Sequence, residues 1–419
     1  MNWKKVLGPG LLFASMAIGV SHLVQSTRAG ANYGFALIWV VIAANVFKYP
    51  FFEYASRYAN ATGESLIDGY KRLGRGPLWI YFLVTLGSMF FVMGAIGFVT
   101  TGFMDNLLGL SALWPSFKLF PTLLLFLVCC TILLVGRFSV LDRLIKLIGM
   151  VLLVSTVIAF VLTVINGPAE QVPNFIKPKV FDEAGLLFII ALMGWMPTAV
   201  DMSSWSSLWT IEKIKTSGYH PELKETLQEF NAGYWVTGLL SLCFVTMGAY
   251  LIYGTGIEMP SGSAAFSNKV VSLYTSSIGD WSYYIISASA FSIMFGTSIA
   301  VFDGYARALE RTAELIFLSD KDATTALNSK MYNASLVILA IGAFGLIALF
   351  VAHFKLLIDI ATTISFLIAP IVALANMRLV TSKYVPESAV PPVWMRWLSY
   401  AGFIFLLGFA LFFVVVKVG

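Results

Sequence analysis

The chain has 419 residues, 58% of them hydrophobic and only 12% charged, with 34 Phe, 11 Trp and a formal net charge of +5. A water-soluble domain carries about a quarter charged residues, so this composition excludes one and points to a polytopic helical protein whose first partner is the lipid bilayer. Three cysteines, Cys129, Cys130 and Cys243, all sit inside apolar runs and read as buried thiols, not as a disulfide or zinc framework.

The chain opens with Lys4 and Lys5 before an apolar run, which resembles a signal peptide, but the run has no convincing cleavage site and joins a series of further spans. Apolar runs of spanning length lie near 7–28, 35–58, 77–104, 119–137, 143–166, 184–209, 231–255, 281–305, 332–352, 355–379 and 393–416. The first starts at Gly8-Pro9-Gly10, a helix-start signal rather than a phosphate loop, and is wrong for an unbroken span. Gly19 is a poor helix former, and Ser21 and His22 put polar groups near the bilayer midplane. The second run carries Lys48 and Glu53, expected to pair at the inner surface. The sixth repeats the first: Gly10-Leu11-Leu12-Phe13 recurs as Gly185-Leu186-Leu187-Phe188, and Gly19 has its counterpart in Gly194, followed by Trp195-Met196-Pro197. Paired, interrupted segments in corresponding halves are the sequence pointer to a transporter's central site.

Connections between the spans alternate in charge. With the N-terminus inside, about nineteen of the 27 Lys and Arg fall on inner segments, and the outer side holds Arg28, Lys118, Lys177, Lys179, Lys269, Lys355 and Lys417. The bias favours an odd number of spans, with the N-terminus cytoplasmic and the C-terminus outside, in what reads as a bacterial inner membrane. The expected fold is an all-α integral membrane protein of about eleven helices. It divides into a first five-helix repeat (1–166), a second, inverted one (184–380) and an added C-terminal helix (393–419), with helices one and six broken. Mixed charges in the long inner connections, such as Glu310, Arg311 and Glu314, read as a solvated helix face. The sequons at Asn60 and Asn333 fall on the inner side and are discounted.

A break in a membrane helix exposes unpaired carbonyls on one side and unpaired amides on the other, and these must meet water, a cavity or a ligand. Two facing breaks make a site for a charged or zwitterionic solute. Beyond the breaks, His22, Gln25 and Ala29, and likewise Thr198, Asp201 and Trp205, fall at helical i, i+3, i+7 spacing. His22 can bind solute or exchange a proton near neutral pH; the alternative is a buried imidazole satisfied by a neighbouring carbonyl. Asp201 is a carboxylate within a span, a candidate for substrate or coupling; the alternative is a structural pair with Lys48 or Arg307. Asp303 is a further coupling candidate, and Asp359 lies near a span end. Arg28 is expected to snorkel. Trp195, Trp205 and Trp209 flank Asp201, and aromatic faces beside a carboxylate suit an organic cation. Met196 can offer a thioether to a soft metal, although a helical methionine is more often filler. The substrate-binding set is thus Gly19, Ser21, His22, Gln25, Gly194, Trp195, Met196, Thr198, Asp201 and Trp205, with His22, Asp201 and Asp303 as coupling candidates. No metal, cofactor or nucleic acid is expected, and no enzyme activity, because no nucleophile is partnered with His22.

At these residues the sequence resembles the Nramp family of proton-coupled divalent-metal transporters over nearly its whole length. Gly8-Pro9-Gly10, the Tyr33-Gly34-Phe35 turn, Met196-Pro197 and the helix count carry the likeness. The resemblance implies a leucine-transporter-type fold. It also shows departures. The family's metal-binding DPGN stretch falls on Gly19-Val20-Ser21-His22, its MPH on Met196-Pro197-Thr198, and its acidic helix-three positions on Gly94 and Gly97. Small residues at Gly19, Ser21, Gly94 and Gly97 are expected to open space, with His22 and Asp201 lining it. The expected function is secondary-active transport of a small organic cation or zwitterion (an amino acid, amine or guanidino compound), with protons as candidate coupling ion. The alternatives are divalent-metal transport through a remodelled site, and a non-transporting membrane receptor.

Overall fold

The computed structural model describes residues 8–257, 259–260, 262–318 and 328–418, so Lys4, Lys5 and Lys321 of the inner-side charge count lie outside it. Among the described residues all regular secondary structure is helical, and both anticipated breaks are present. α1 (Pro9–Ala17) stops at Ile18, and the chain resumes through a π-helical turn, Ser21–Ser26, into α2 (Thr27–Tyr33), with a 41° bend between the two halves. α8 (Glu183–Trp195) stops before Pro197, and the chain resumes as a 3-10 turn, Val200–Met202, leading into α9 (Ser203–Ser217). The remaining long helices are α3 (Ile38–Thr62), α5 (Arg75–Leu108), α7 (Phe120–Asn166), α10 (Leu223–Leu251), α12 (Tyr283–Phe317), α13 (Ser329–Leu349), α14 (Phe354–Val380) and α15 (Val393–Val418). The short helices α4 (Leu66–Leu73), α6 (Leu110–Leu113) and α11 (Ser263–Ile278) lie between them.

One expectation is corrected. The runs 119–137 and 143–166 are expected as separate spans, but α7 is helical from Phe120 to Asn166, and its two apolar stretches are Phe120–Val135 and Leu153–Asn166. No proline or turn-forming pair interrupts the helical propensity between them.

Local signals set the ends. Gly34 (φ 59°) closes α2 at the expected Tyr33-Gly34-Phe35 turn. Asp182 starts α8 by accepting from the Gly185 amide at 2.8 Å. Ser65 and Asp68 form a capping box at α4.

The helices pack in two groups. α1, α2 and α3 lie against α10, with α9 against α3 and α1, while α5, α7, α12 and α13 lie against one another. The broken first helix runs along α10 with its backbone in close contact: a Cβ at Gly30 would stand 2.0 Å from the Val245 carbonyl oxygen, and one at Gly248 would stand 2.3 Å from that of Thr27. Small residues at a membrane helix crossing permit this approach. α1 also crosses to α12 of the second group, and α8 packs on α14. The two breaks therefore sit in the interior, at the junction of the groups.

Candidate functional site

Side-chain hydroxyls meet carbonyls freed at the first break. Thr297, on α12, donates from Oγ1 to the carbonyl of Ser15 (2.8 Å) and stands 3.4 Å from that of Ile18. Ser21 Oγ donates to the Ala17 carbonyl at 2.5 Å. A Cβ at Gly19 would stand 2.7 Å from both Cγ2 and Oγ1 of Thr297. Thr297 therefore fills the volume that the small residue at 19 was expected to open. The same holds for helix three: a Cβ at Gly97 would meet the Phe126 ring at 2.6 Å, and one at Gly94 would meet Leu346 at 3.3 Å. The glycines here permit close packing and do not enlarge a cavity.

His22 is fully buried. Its Nδ1 lies 2.6 Å from Ser21 Oγ, and its Nε2 lies 2.9 Å from the Thr237 carbonyl on α10. The ring thus faces the helix that backs the break, and both nitrogens are engaged. Gln25 accepts from Arg28 at 2.9 Å through Oε1, while its buried Nε2 has no hydrogen-bond partner. The expected i, i+3, i+7 stripe does not form on either helix. Ser21–Ser26 is π-wound, Thr198 precedes the resumed helix, and Asp201 sits in a 3-10 turn.

At the second break, Lys48 Nζ donates to the carbonyls of Met193 (2.5 Å), Gly194 (3.0 Å) and Thr198 (3.1 Å). The pair expected between Lys48 and Glu53 does not form. Glu53 binds Arg57, one turn away, through contacts of 2.5–3.1 Å. Gly194 touches α14 through backbone, since a Cβ there would lie 2.0 Å from the Thr362 carbonyl oxygen. Trp195 donates from Nε1 to Ser365 Oγ at 2.9 Å, and Thr198 Oγ1 to Met202 Sδ at 3.3 Å; Met196 is fully buried.

Asp201 is 3% exposed, and its Oδ1 has no hydrogen-bond partner. The carboxylate interacts electrostatically with Lys48 and with three buried tyrosines, Tyr70, Tyr81 and Tyr305. Tyr81 OH lies 2.5 Å from Ser204 Oγ, which donates at 3.0 Å to the Asp201 carbonyl. Three tyrosines, together with Lys48, set the electrostatic surroundings of this carboxylate, where tryptophan faces were expected. Trp205 is packed edge-on against Tyr305 (4.6 Å between centroids) and Trp209 (6.2 Å), and a Cβ at Gly304 would strike its ring at 2.2 Å.

Ion pairs hold both ends of the site. Toward the side reached by α2, Arg28 pairs with Asp359 of α14 at 2.9 Å and lies 5.2 Å over the Phe188 ring, so it is a partnered residue and not a snorkelling one. At the other end Arg311 pairs with Asp68 and Glu314, and Glu310 and Glu314 are buried, which corrects the expected solvated face. Asp303 accepts from Arg307 Nε through both oxygens (2.8 and 2.9 Å), from Trp209 Nε1 (2.8 Å) and from Tyr332 OH (2.8 Å). Glu229 caps the start of α1, accepting from the Gly8 and Gly10 amides at 2.8–2.9 Å. Among the described residues, no three His, Cys, Asp or Glu side chains converge on a metal-sized point.

Sequence reasoning missed two residues here and misplaced a third. Lys48 was expected at the inner surface with Glu53, or as the alternative partner of Asp201, and it does interact electrostatically with Asp201. Glu229 and Thr297 carry no signal, because a threonine in an apolar helix ordinarily bonds its own preceding turn.

The profile of the Nramp family, natural resistance-associated macrophage protein-like, matches residues 10–416. A Pasteurella multocida protein described as uncharacterized is 33% identical over 415 residues, 99% of this chain and 92% of its own. The Eremococcus coleocola manganese transporter, crystallised in complex with an aromatic bis-isothiourea substituted compound, superimposes with a TM-score of 0.70 at 14% identity, covering 98% of this chain and 86% of that one. MhsT, crystallised in complex with L-phenylalanine, superimposes with a TM-score of 0.61 at 14% identity, over 96% and 98% of the two chains. These likenesses show the leucine-transporter-type fold, with helices one and six broken.

Proposed function

We infer function from one premise, that this chain belongs to the Nramp family: it is a membrane transporter, and we propose that it moves a small organic cation or zwitterion by alternating access. The observation that carries the substrate class is Asp201, a buried carboxylate beside the second break with one oxygen unpartnered. A buried acceptor left unmet is costly, and an N–H donor of an amine, guanidine or amino acid would meet it. The neighbouring Lys48 ammonium favours a zwitterion, whose carboxylate it would offset. Gly19, Ser21, His22, Gln25, Gly194, Trp195, Met196, Thr198 and Trp205 shape the breaks around that contact, His22 through α10 and Trp205 through Tyr305. Alternating access then consists of parting Arg28 from Asp359 at one end and Arg311 from Asp68 at the other, in turn. The division into repeats at 1–166 and 184–380 with an added helix at 393–419, the bacterial inner membrane, a cytoplasmic N-terminus, an outward C-terminus and proton coupling belong to the same reading.

A second reading, divalent-metal transport, is favoured by Met196, retained at the family's methionine position, and by the manganese transporter among the structural neighbours. Thermal unfolding of the purified protein against a panel of amino acids, amines and guanidino compounds, with manganese and magnesium alongside, separates the two. Stabilisation by at least one organic solute is expected; stabilisation by the metal ions and by none of the solutes overturns the first reading.

Asp201→Asn is expected to weaken binding of that solute by about 1–3 kcal/mol, roughly 5- to 150-fold in affinity, the scale of a lost charge-assisted hydrogen bond. Titration of the variant checks this. Unchanged affinity would reduce Asp201 to a packing role.

A further inference from the structure

Where the second broken helix stops, main-chain carbonyls lose their helical partners, and inside a membrane each must be met. One side chain meets three of them. Lys48 is fully buried, and its Nζ donates to the carbonyls of Met193, Gly194 and Thr198 at 2.5–3.1 Å. The first two belong to the end of α8 and the third to the broken stretch that follows it, so the ammonium ties the end of the helix to the connecting segment. An ammonium has three N–H donors, matching three oxygens. A cluster of carbonyl oxygens at the negative end of a helix is also the arrangement that strips and holds a bare monovalent cation. Asp201 is the charged group that acts on Lys48 from across the break.

We propose that this carbonyl cage is a monovalent-cation site whose occupant is the chain's own Lys48 ammonium, in place of a free coupling ion. The transport cycle then needs no sodium or potassium at this break. The proposal deepens the transporter reading and rests on it for the word coupling alone, because the cage is tested without any transported solute.

Thermal unfolding of the purified full-length protein is compared in sodium, potassium, methylammonium and choline chlorides at one ionic strength. The wild type is expected to melt at the same temperature in all four. Lys48→Ala is expected to melt lower in choline and to rise by about 2 °C or more in at least one of the smaller cations, which enter the emptied cage. Lys48→Met keeps most of the volume without the charge, and it is expected to be less stable than wild type in choline. A sodium- or potassium-specific rise in the wild type would overturn the proposal, as would a folded Lys48→Ala indifferent to every cation, or a Lys48→Met as stable as wild type. The wild-type comparison stands alone where neither variant folds. A failed solute screen leaves these outcomes standing, and their failure leaves the solute screen standing.

Discussion

Asp303→Ala is expected to destabilise the folded protein by about 3–5 kcal/mol, the scale of a buried ion pair broken from one side. Asp303 is fully buried, and four donors converge on it: Arg307 on both oxygens, the Trp209 indole and the Tyr332 hydroxyl. Truncation leaves the Arg307 guanidinium buried with Glu212, at 3.4 Å, as a remaining partner, and strands two neutral donors as well. This network ties α9, α12 and α13 together at one end of the site. Thermal unfolding in detergent measures the loss, with Asp303→Asn as the milder companion that keeps the acceptor. A midpoint near that of wild type, together with a flattened pH profile of transport, would instead make Asp303 the coupling group that the sequence suggests.

The contrast with Asp201 shows what a sequence conceals. Both residues are acidic and lie in apolar runs, and the one local mark that separates them is Arg307, four residues beyond Asp303 on one helix. The tyrosines that act on Asp201 come from α4, α5 and α12 and leave no local mark. The two breaks are legible because Gly19 and Gly194 recur in matched settings, and backbone physics then forces a polar junction between them. One ion pair is legible too. Glu53 and Arg57 stand one turn apart and share a face, whereas Glu53 and Lys48, five residues apart, do not. By contrast, the Arg28–Asp359 pair joins residues 331 apart in the chain and leaves no local mark. The glycines at 19 and 97 read as space because the sequence says nothing of what opposes them. Thr297 and Phe126 are supplied by other helices, and close packing gives a small residue a large neighbour.

Restoring the family's aspartate tests that point directly. Gly19→Asp alone is expected to give no manganese binding and to destabilise the protein by several kcal/mol. Its Cβ would stand 2.7 Å from Cγ2 and Oγ1 of Thr297, well inside van der Waals contact. Overpacking of this kind costs about 1–3 kcal/mol. The new carboxylate would also be desolvated without a cationic partner, a further penalty of several kcal/mol unless a proton or a metal neutralises it. Displacing Thr297 would in addition strip the hydroxyl from the Ser15 carbonyl, which it meets at 2.8 Å. Gly19→Asp combined with Thr297→Gly removes the obstruction, and it is expected to recover the packing part of the loss and to melt higher in manganese than in its absence. Thermal unfolding of the single and double variants, with and without manganese, reads all of these effects. If the single variant is as stable as wild type and is stabilised further by manganese, then Thr297 does not fill the site, and divalent-metal transport becomes the better reading of this chain.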